Sequence, residues 1–197
     1  MMLKPFQREN VLSMPVVLIS TVSGSGVANV APWGNVTPIL RPLDEIVIAS
    51  ALKRDTLDNI RETGEFVINV PPVSMIDEVM ICSRLYPPDV DEFAEAGLSR
   101  KPSSTVSAPG IAGCIAWIEC KLKEEIVRDK YSLVIGQVTG LELNEDFVTG
   151  DGDLDYENAE PLCMLCGGSE IHYTKPVCAG RTAQYSEMFS WPGKKQG

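Results

Sequence analysis

The chain has 197 residues, a length that suits one domain, or one domain with a modest insertion, and allows a single sizeable core. Its formal net charge is −10, and no run of Lys or Arg supplies the cationic face that a nucleic-acid-binding protein needs to neutralise phosphates. No apolar run in the sequence reaches the roughly 18 residues that a membrane span requires. We therefore expect neither nucleic acid nor a membrane as a partner.

The six cysteines are predicted to be free thiols. The apolar stretch 14–20 has no basic segment and no small-residue cleavage site beside it, so we interpret it as a buried strand rather than a signal peptide. Without an export signal, cysteines in a chain that can build a core are more often reduced than paired. We therefore expect a cytoplasmic location.

The first half of the sequence predicts strands that alternate with short helices. The turn signal at 23–26 joins the strands on either side into a hairpin, and prolines and a glycine interrupt the second strand at 32–35. Leu57 and Ile60 lie one helical turn apart, and Gly64 suits a C-terminal cap. In chain order the predicted elements are strands 16–22, 27–31 and 46–50, helix 55–64, strand 65–70 and helix 74–83, the last with Ser74 as its N-cap.

Long strands dominate the second half. Apolar residues at 118, 120 and 122 alternate with charged residues at 119, 121 and 123, which predicts a half-solvated strand. In order, we predict a helical turn at 91–97, a loop at 101–110, strands 114–128 and 131–143, an acidic loop at 149–160, and a hairpin of 162–165 with 171–173. A closed or half-closed barrel would protect the edges of so many antiparallel strands. We assign residues 1–178 to one domain and 179–197 to a C-terminal tail.

A candidate phosphate site lies between a predicted strand and a predicted helix. Ser50, Lys53, Arg54 and Thr56 place two cations and two hydroxyls beside helix N-terminal amides. Unpaired N–H groups and the helix dipole attract phosphate there, and a guanidinium can hold two phosphate oxygens at once. The alternative is a solvated helix start that Asp55 or Thr56 simply caps.

A second candidate segment follows the predicted hairpin. It mixes small residues, amides and prolines in a way that presents backbone N–H and C=O groups to the edge of a flat heterocycle. The alternative is a β-bulge or corner in which the tryptophan belongs to the core. The residues concerned are Asn29, Ala31, Pro32, Trp33, Gly34 and Asn35.

Together these segments resemble the flavin reductase-like, FMN-binding split-barrel family, particularly its flavoredoxin-type branch. The resemblance runs from about Arg8 to Tyr173. It rests on the order and spacing of segments that are individually loose. These are 15–21, 29–38, Ser50 with 54–56, 59–69, Cys82, 91–93 with 96–98, 119–120 and 135–138.

The resemblance implies a mainly β fold: a six-stranded antiparallel split β-barrel with two or three short helices. It also implies a homodimer with FMN near the subunit interface, and electron or hydride transfer between NAD(P)H or a redox protein and FMN. Ser50, Arg54 and Thr56, with Lys53 as a helper, match the family's phosphate-binding stretch. The segment from Asn29 to Asn35 matches the stretch beside the isoalloxazine ring and ribityl chain. The flavin carries the chemistry, so no catalytic residue is expected.

One departure from the family bears on the electron donor. Many flavin reductases carry Gly-Asp-His before the Gly-x-Val strand, with the histidine near the nicotinamide. Here the matching residues are Asp129, Lys130 and Tyr131. The replacement of histidine by Tyr131 favours the alternative of a flavoredoxin-like electron carrier without NAD(P)H activity.

A third hypothesis is a non-enzymatic metal-binding module. Cys163, Cys166, His172 and Cys178 could form a zinc set, although a single C-x-x-C lacks the second pair of a finger. The structural alternative is a strand that enters a Gly-Gly turn. Cys82 is interpreted mainly as a packing residue that could lie near the flavin.

Overall fold

The computed structural model describes residues 10–40, 42–167 and 170–181. Its strands are Asn10–Pro15 (β1), Val17–Val22 (β2), Ala28–Trp33 (β3), Val36–Pro38 (β4), Glu45–Ala51 (β5), Glu65–Val70 (β6), Arg100–Lys101 (β7), Gly110–Ile111 (β8), Ala116–Val127 (β9), Tyr131–Leu143 (β10), Cys163–Gly167 (β11) and Glu170–Thr174 (β12). Its α-helices are Asp55–Thr63 (α1), Ile76–Cys82 (α2) and Glu92–Glu95 (α3), and 3₁₀ turns cover Val73–Met75 and Glu145–Phe147.

The central feature is a curled antiparallel sheet with the strand order β3-β2-β6-β9-β10-β5-β4. Strands β3 and β4 lie at opposite ends of this order, although only Gly34 and Asn35 separate them in the chain. The sheet must therefore curl until its two edges approach each other. The Asn35 carbonyl accepts a hydrogen bond from the Ala49 N–H at 2.9 Å, which fastens the crossing to β5. The predicted split β-barrel is confirmed.

The predicted strand number needs a small correction, because the main sheet has seven strands rather than six. The additional strand is β4, a three-residue edge strand that contains Pro38. The predicted interruption at 32–35 was also wrong in part, since β3 continues through Pro32 to Trp33. Both prolines lie on edge strands, where a missing N–H does not remove a bond from a central ladder.

The core occupies both faces of the sheet. Leu18 and Ile19 are adjacent on β2 and both are 0% exposed, with Leu18 in the cluster that includes Phe93 and Ile19 in the cluster that includes Phe66. Neighbouring residues of a strand point to opposite faces, so β2 is covered on both sides. Burial of each such side chain contributes about 1.5–3 kcal/mol.

The first helix follows the prediction, and the second does not begin as predicted. Gly64 ends α1 with φ 73°, and its N–H donates to the Ile60 carbonyl at 2.8 Å. Ser74 is not an N-cap: it lies within the 3₁₀ turn, and α2 begins two residues later without a side-chain cap. The Met75 N–H donates to the Pro72 carbonyl at 3.0 Å, so this turn precedes the helix.

The strand β9 confirms the predicted alternation except at Glu119. That side chain was expected in solvent, but the residue is only 4% exposed. Its carboxylate accepts hydrogen bonds from the backbone N–H of Ser104 at 2.8 Å and of Thr105 at 2.6 Å. The loop predicted at 101–110 therefore folds over this face of the strand, and its two ends pair as β7 and β8.

A smaller sheet has the strand order β1-β11-β12. The predicted final hairpin is confirmed as β11 and β12, and β1, which was not predicted, pairs with β11. All six cysteines are free thiols. In the described ranges, no helix is long and apolar enough to cross a membrane. Residues 182–197 of the predicted tail lie outside the described residues.

Candidate functional site

A cleft of about 560 Å³ opens where the β3–β4 crossing, the β5–α1 junction and the connection from α2 to α3 meet. All of the predicted site residues except Ser50 line it. The two candidate segments, some 20 residues apart in the chain, therefore form one concave surface. The predicted residues in its lining are Asn29, Ala31, Pro32, Trp33, Gly34, Asn35, Lys53, Arg54 and Thr56.

Ser50 is the predicted site residue that the structure does not bring to the cleft. It is 2% exposed, and its hydroxyl donates to the Ala51 carbonyl at 2.8 Å. Its strand neighbours Ala49 and Ala51 line the cleft instead. Side chains alternate between the faces of a strand, so these two residues face the cleft when Ser50 faces the core.

The N-terminus of α1 opens into the cleft without a side-chain cap. Arg54 is the N-cap residue, with extended backbone angles of φ −145° and ψ 131°, and it makes no side-chain cap bond. Thr56 does not cap the helix, because its Oγ1 accepts a hydrogen bond from Asn29 Nδ2 at 3.1 Å. The amides of the first turn have no partner within an α-helix, so they remain available to an anion.

Three cationic side chains line the cleft: Lys53, Arg54 and Arg84. All three are exposed, and none forms a salt bridge with another described residue. The lining also contains two acids, Asp55 and Glu92. In a chain of net charge −10, this group gives the cleft a local excess of positive charge.

Trp33 carries a polar atom that the described residues leave unsatisfied. Its Nε1 is buried and has no hydrogen-bond partner among them. The ring lines the cleft and also packs against the core cluster of Ile19 and Phe66. Burying a donor without an acceptor is costly. The Nε1 atom itself is shielded from the cleft, so an acceptor bound there would reach it only if the indole turned.

Comparison with known proteins assigns the chain to a family. Residues 9–161 match the family described as "Flavin reductase like domain". The chain belongs to the flavin reductase-like family. An uncharacterized protein of Methanothermobacter thermautotrophicus is 44% identical over 195 residues, covering 96% of this chain and 92% of the relative. The YwrF protein of Bacillus subtilis, also uncharacterized, is 30% identical over 176 residues and covers 84% of each chain.

Solved structures show the same fold at low sequence identity. Component B of nitrilotriacetate monooxygenase from Bacillus cereus superposes with a TM-score of 0.82 and 23% identity, over 92% of this chain and 98% of its own. Flavoredoxin from Methanosarcina acetivorans gives 0.81 and 19%, over 94% and 97%. An FMN-binding domain of a flavin reductases-like enzyme from Shewanella baltica gives 0.70 and 20%, over 88% and 99%.

Local sequence patterns did not predict the far wall of the cleft, apart from Cys82. It comes from the end of α2 and the connection to α3, about 20 to 30 residues after the end of α1. Nothing in the local pattern there distinguishes a cleft wall from an ordinary loop. The residues are Cys82, Ser83, Arg84, Leu85, Tyr86, Pro88 and Glu92.

Two groups of this wall have raised pKa values. Burial raises the pKa of the Cys82 thiol to about 12, so it stays protonated and acts as an apolar packing group. Glu92 is 7% exposed, and its Oε2 accepts the Val30 N–H at 2.5 Å. Burial raises the pKa of Glu92 to about 7.

The alternative metal set is not assembled in the flavin reductase-like structure. Among the described residues, no group of three or more His, Cys, Asp or Glu could hold a metal ion. Cys163 and Cys166 are three residues apart on β11, so their side chains leave opposite faces of the strand. His172 pairs with Leu165 across the hairpin, and its nearest charged partner is Glu170 at 3.8 Å.

Proposed function

We propose that this protein binds FMN in the cleft and moves electrons or hydride between a reduced donor and that flavin. The observation that carries the proposal is the convergence of an uncapped helix start, three unpaired cations and a strand edge with an unsatisfied indole in one concavity. The helix start and the cations suit a phosphate at one end of the cleft, and the strand edge and the indole suit a flat polar heterocycle at the other end.

The phosphate would lie at the N-terminus of α1. The first-turn N–H groups and the helix dipole favour a dianion there. Arg54 can hold two phosphate oxygens at once, and Lys53 adds a point charge. The hydrogen bond between Asn29 and Thr56 fixes this helix start against β3 and so sets the distance between the two ends of the cleft.

The isoalloxazine and ribityl chain would lie along residues 31–35. Strand β3 is an edge of the main sheet, so its outer C=O groups have no strand partner, while the outer N–H of Val30 is bonded to Glu92 and Pro32 has no N–H. Trp33 Nε1 adds a buried donor that lacks an acceptor among the described residues. Once the indole turns towards the cleft, a ring carbonyl or ring nitrogen of a flavin would supply such an acceptor.

FMN, when bound, would supply the hydride and electron chemistry, and the chain would bind and orient it. No side chain of the cleft is needed as a nucleophile, and the raised pKa of Cys82 keeps its thiol from serving as one. The walls would exclude water from one side of the ligand. The chain would thereby set which edge of the flavin meets the donor.

The donor distinguishes two versions of the proposed function. Tyr131 stands where many flavin reductases carry histidine, and it pairs across the sheet with Ala51, which lines the cleft. Tyr131 is 45% exposed, so this strand end presents a phenol rather than an imidazole. This observation favours a flavoredoxin-like carrier with a redox protein as partner, against an NAD(P)H-dependent flavin reductase.

We also propose a homodimer with the cleft near the interface. Leu85 lines the cleft and is 89% exposed, and Leu40 is 71% exposed. A second copy would remove these apolar side chains from water. The cytoplasmic location and the absence of nucleic-acid and membrane partners remain predictions from the sequence.

A flavin titration followed by reductant addition tests the proposal. Purified protein is titrated with FMN and with riboflavin, and visible absorption and flavin fluorescence are recorded. NADH, NADPH or a low-potential redox protein is then added without oxygen. Tight binding with a preference for FMN supports the cleft assignment, and absence of binding removes it. Bleaching of the flavin by NAD(P)H identifies a reductase, whereas bleaching only by the redox protein identifies a carrier.

A further inference from the structure

Glu92 is a buried acid inside the proposed flavin cleft that flavin binding and electron transfer do not require. It is 7% exposed and belongs to the lining of the cleft. Its Oε2 accepts the N–H of Val30, which lies on the outer edge of β3. Its Oε1 accepts no hydrogen bond from another described residue, so one carboxylate oxygen remains available within the cleft.

The charged surroundings of Glu92 come from three elements and from the open cleft. Asp91 precedes it on the chain and Asp55 faces it from the start of α1, and both raise its pKa. From α2, Cys82 lies close enough for Glu92 to affect its thiol. Glu78, also on α2, acts on the same thiol. Three cations share the cleft with Glu92: Lys53, Arg54 and Arg84.

This arrangement places Glu92 beside the proposed phosphate end rather than remote from it. Asp55 belongs to the helix turn that would hold the phosphate, and it interacts with Glu92 across the cleft. A dianion bound at that turn would add to the same repulsion. Since the carboxyl is buried, water screens the repulsion less than it would at the surface.

We propose that Glu92 takes up a proton from solvent when the phosphate of FMN occupies the cleft. The step is an acid–base equilibrium: the ionised carboxylate plus one proton gives the neutral carboxylic acid, and no electron is transferred. The inference rests on the proposed function and adds a pH-dependent control of FMN affinity.

The direction in which pH changes FMN affinity follows from the linkage between proton binding at Glu92 and FMN binding. Burial, opposed by the Val30 hydrogen bond and reinforced by Asp55, raises the pKa of Glu92 to about 7 before any ligand binds. An anionic ligand raises it further. The contribution of Glu92 to FMN affinity is therefore constant below the ligand-free pKa, falls as the pH rises from about 7 through the higher pKa of the complex, and levels off above it. Each further pH unit by which the bound ligand raises the pKa of Glu92 corresponds to about a tenfold loss of FMN affinity across this window.

Calorimetry in two buffers of different ionisation enthalpy measures this proton directly. FMN is titrated into the full-length protein near pH 8, where a phosphate monoester with a second pKa of about 6 is already a dianion and releases little proton itself. If occupancy raises the pKa by one unit, the protein takes up about 0.4 proton per FMN. Glu92→Gln keeps an oxygen that accepts from Val30 and removes the titration. Glu95→Gln, an exposed acid on the same helix, is the matched control.

The outcomes separate this inference from the proposed function. Proton uptake in the wild type and in Glu95→Gln that disappears in Glu92→Gln is the expected result. FMN binding without proton uptake, or with equal uptake in Glu92→Gln, overturns the inference and leaves FMN binding intact. Uptake that is equally large with riboflavin overturns the assignment to the phosphate. Absence of FMN binding at every pH overturns both.

The wild type alone supports a second measurement, should Glu92→Gln not fold. Proton uptake on FMN binding is recorded from about pH 6 to pH 9, and the inference predicts a maximum between the two pKa values of Glu92. Uptake that is zero throughout this range overturns the inference without recourse to a variant.

Discussion

Substitution of Arg54 by alanine tests the phosphate end of the cleft most cleanly. Arg54 is exposed, precedes α1 as its N-cap and forms no salt bridge with the described residues. Its removal leaves no buried protein group without a partner, and surface changes of this kind alter the free energy of unfolding by about 0.5 kcal/mol or less. A loss of FMN affinity in Arg54→Ala can therefore be attributed to the ligand contact.

The expected magnitude follows from the bond that would be lost. A hydrogen bond to a charged group contributes about 1.5–3 kcal/mol, which corresponds to a weakening of about 10- to 150-fold in Kd. Because the guanidinium is exposed, we expect the lower part of this range. Riboflavin has no phosphate, so its Kd should not change in Arg54→Ala.

The assay is quenching of flavin fluorescence on binding, with the thermal midpoint of the ligand-free protein as a check on folding. Lys121→Ala is the control, because it removes one positive charge from β9 outside the cleft lining. It should leave the FMN affinity unchanged within about twofold. An Arg54→Ala protein that binds FMN as tightly as the wild type would refute the phosphate assignment.

Three further predictions concern stability and are measured by urea unfolding. Asn29→Ala should lower the free energy of unfolding by about 1–3 kcal/mol, because it leaves the buried Thr56 hydroxyl without its donor. Gly136→Ala should cost about 1–3 kcal/mol, since a Cβ there would lie 2.5 Å from Cζ of the fully buried Phe66. At Glu119, burial favours the neutral acid, but hydrogen bonds from the 104–105 segment outweigh it and hold the pKa below its ordinary value. Its contribution to the free energy of unfolding is therefore complete above about pH 5 and is lost as the pH falls through the lowered pKa. Glu119→Gln should remove this part of the loss of stability at acid pH.

Each stability prediction has a matched control. Gly150→Ala adds a Cβ with nothing within 4 Å and should be close to neutral, so equal losses at both glycines would contradict the steric argument. Glu124→Gln changes an exposed acid on the same strand as Glu119 and should lose stability at acid pH as the wild type does. Thr56→Ser keeps the acceptor oxygen of the Asn29 bond. A loss of stability in Thr56→Ser as large as in Asn29→Ala would show that packing, not this bond, matters there.

Local sequence patterns correctly predicted the elements whose burial is determined by their own side chains. The two faces of β2 are both apolar, and Leu57, Ile60 and Gly64 define α1 within ten residues of sequence. The exposure of Glu119 was predicted wrongly because the loop that covers it lies about 15 residues earlier in the chain, and strand alternation cannot reveal such a contact. β4 was not predicted because its three residues, one of them proline, are too few to show the alternating pattern of a strand.

The site was predictable only where it lies on consecutive residues. The segments 29–35 and 53–56 each carry a local chemical pattern, and the structure brings them together. Ser50 was included because it is polar and adjacent, yet the two-residue period of β5 turns it to the core. Glu92 was missed as a cleft residue because its role depends on the edge of β3, which is 62 residues away in the sequence.

A crystal structure of the protein grown with saturating FMN tests the central claim most directly. We expect the phosphate at the α1 N-terminus within hydrogen-bond distance of Arg54, and the ring system along 31–35 with an acceptor on Trp33 Nε1. FMN bound elsewhere on the chain, or this cleft empty in such crystals, would contradict it.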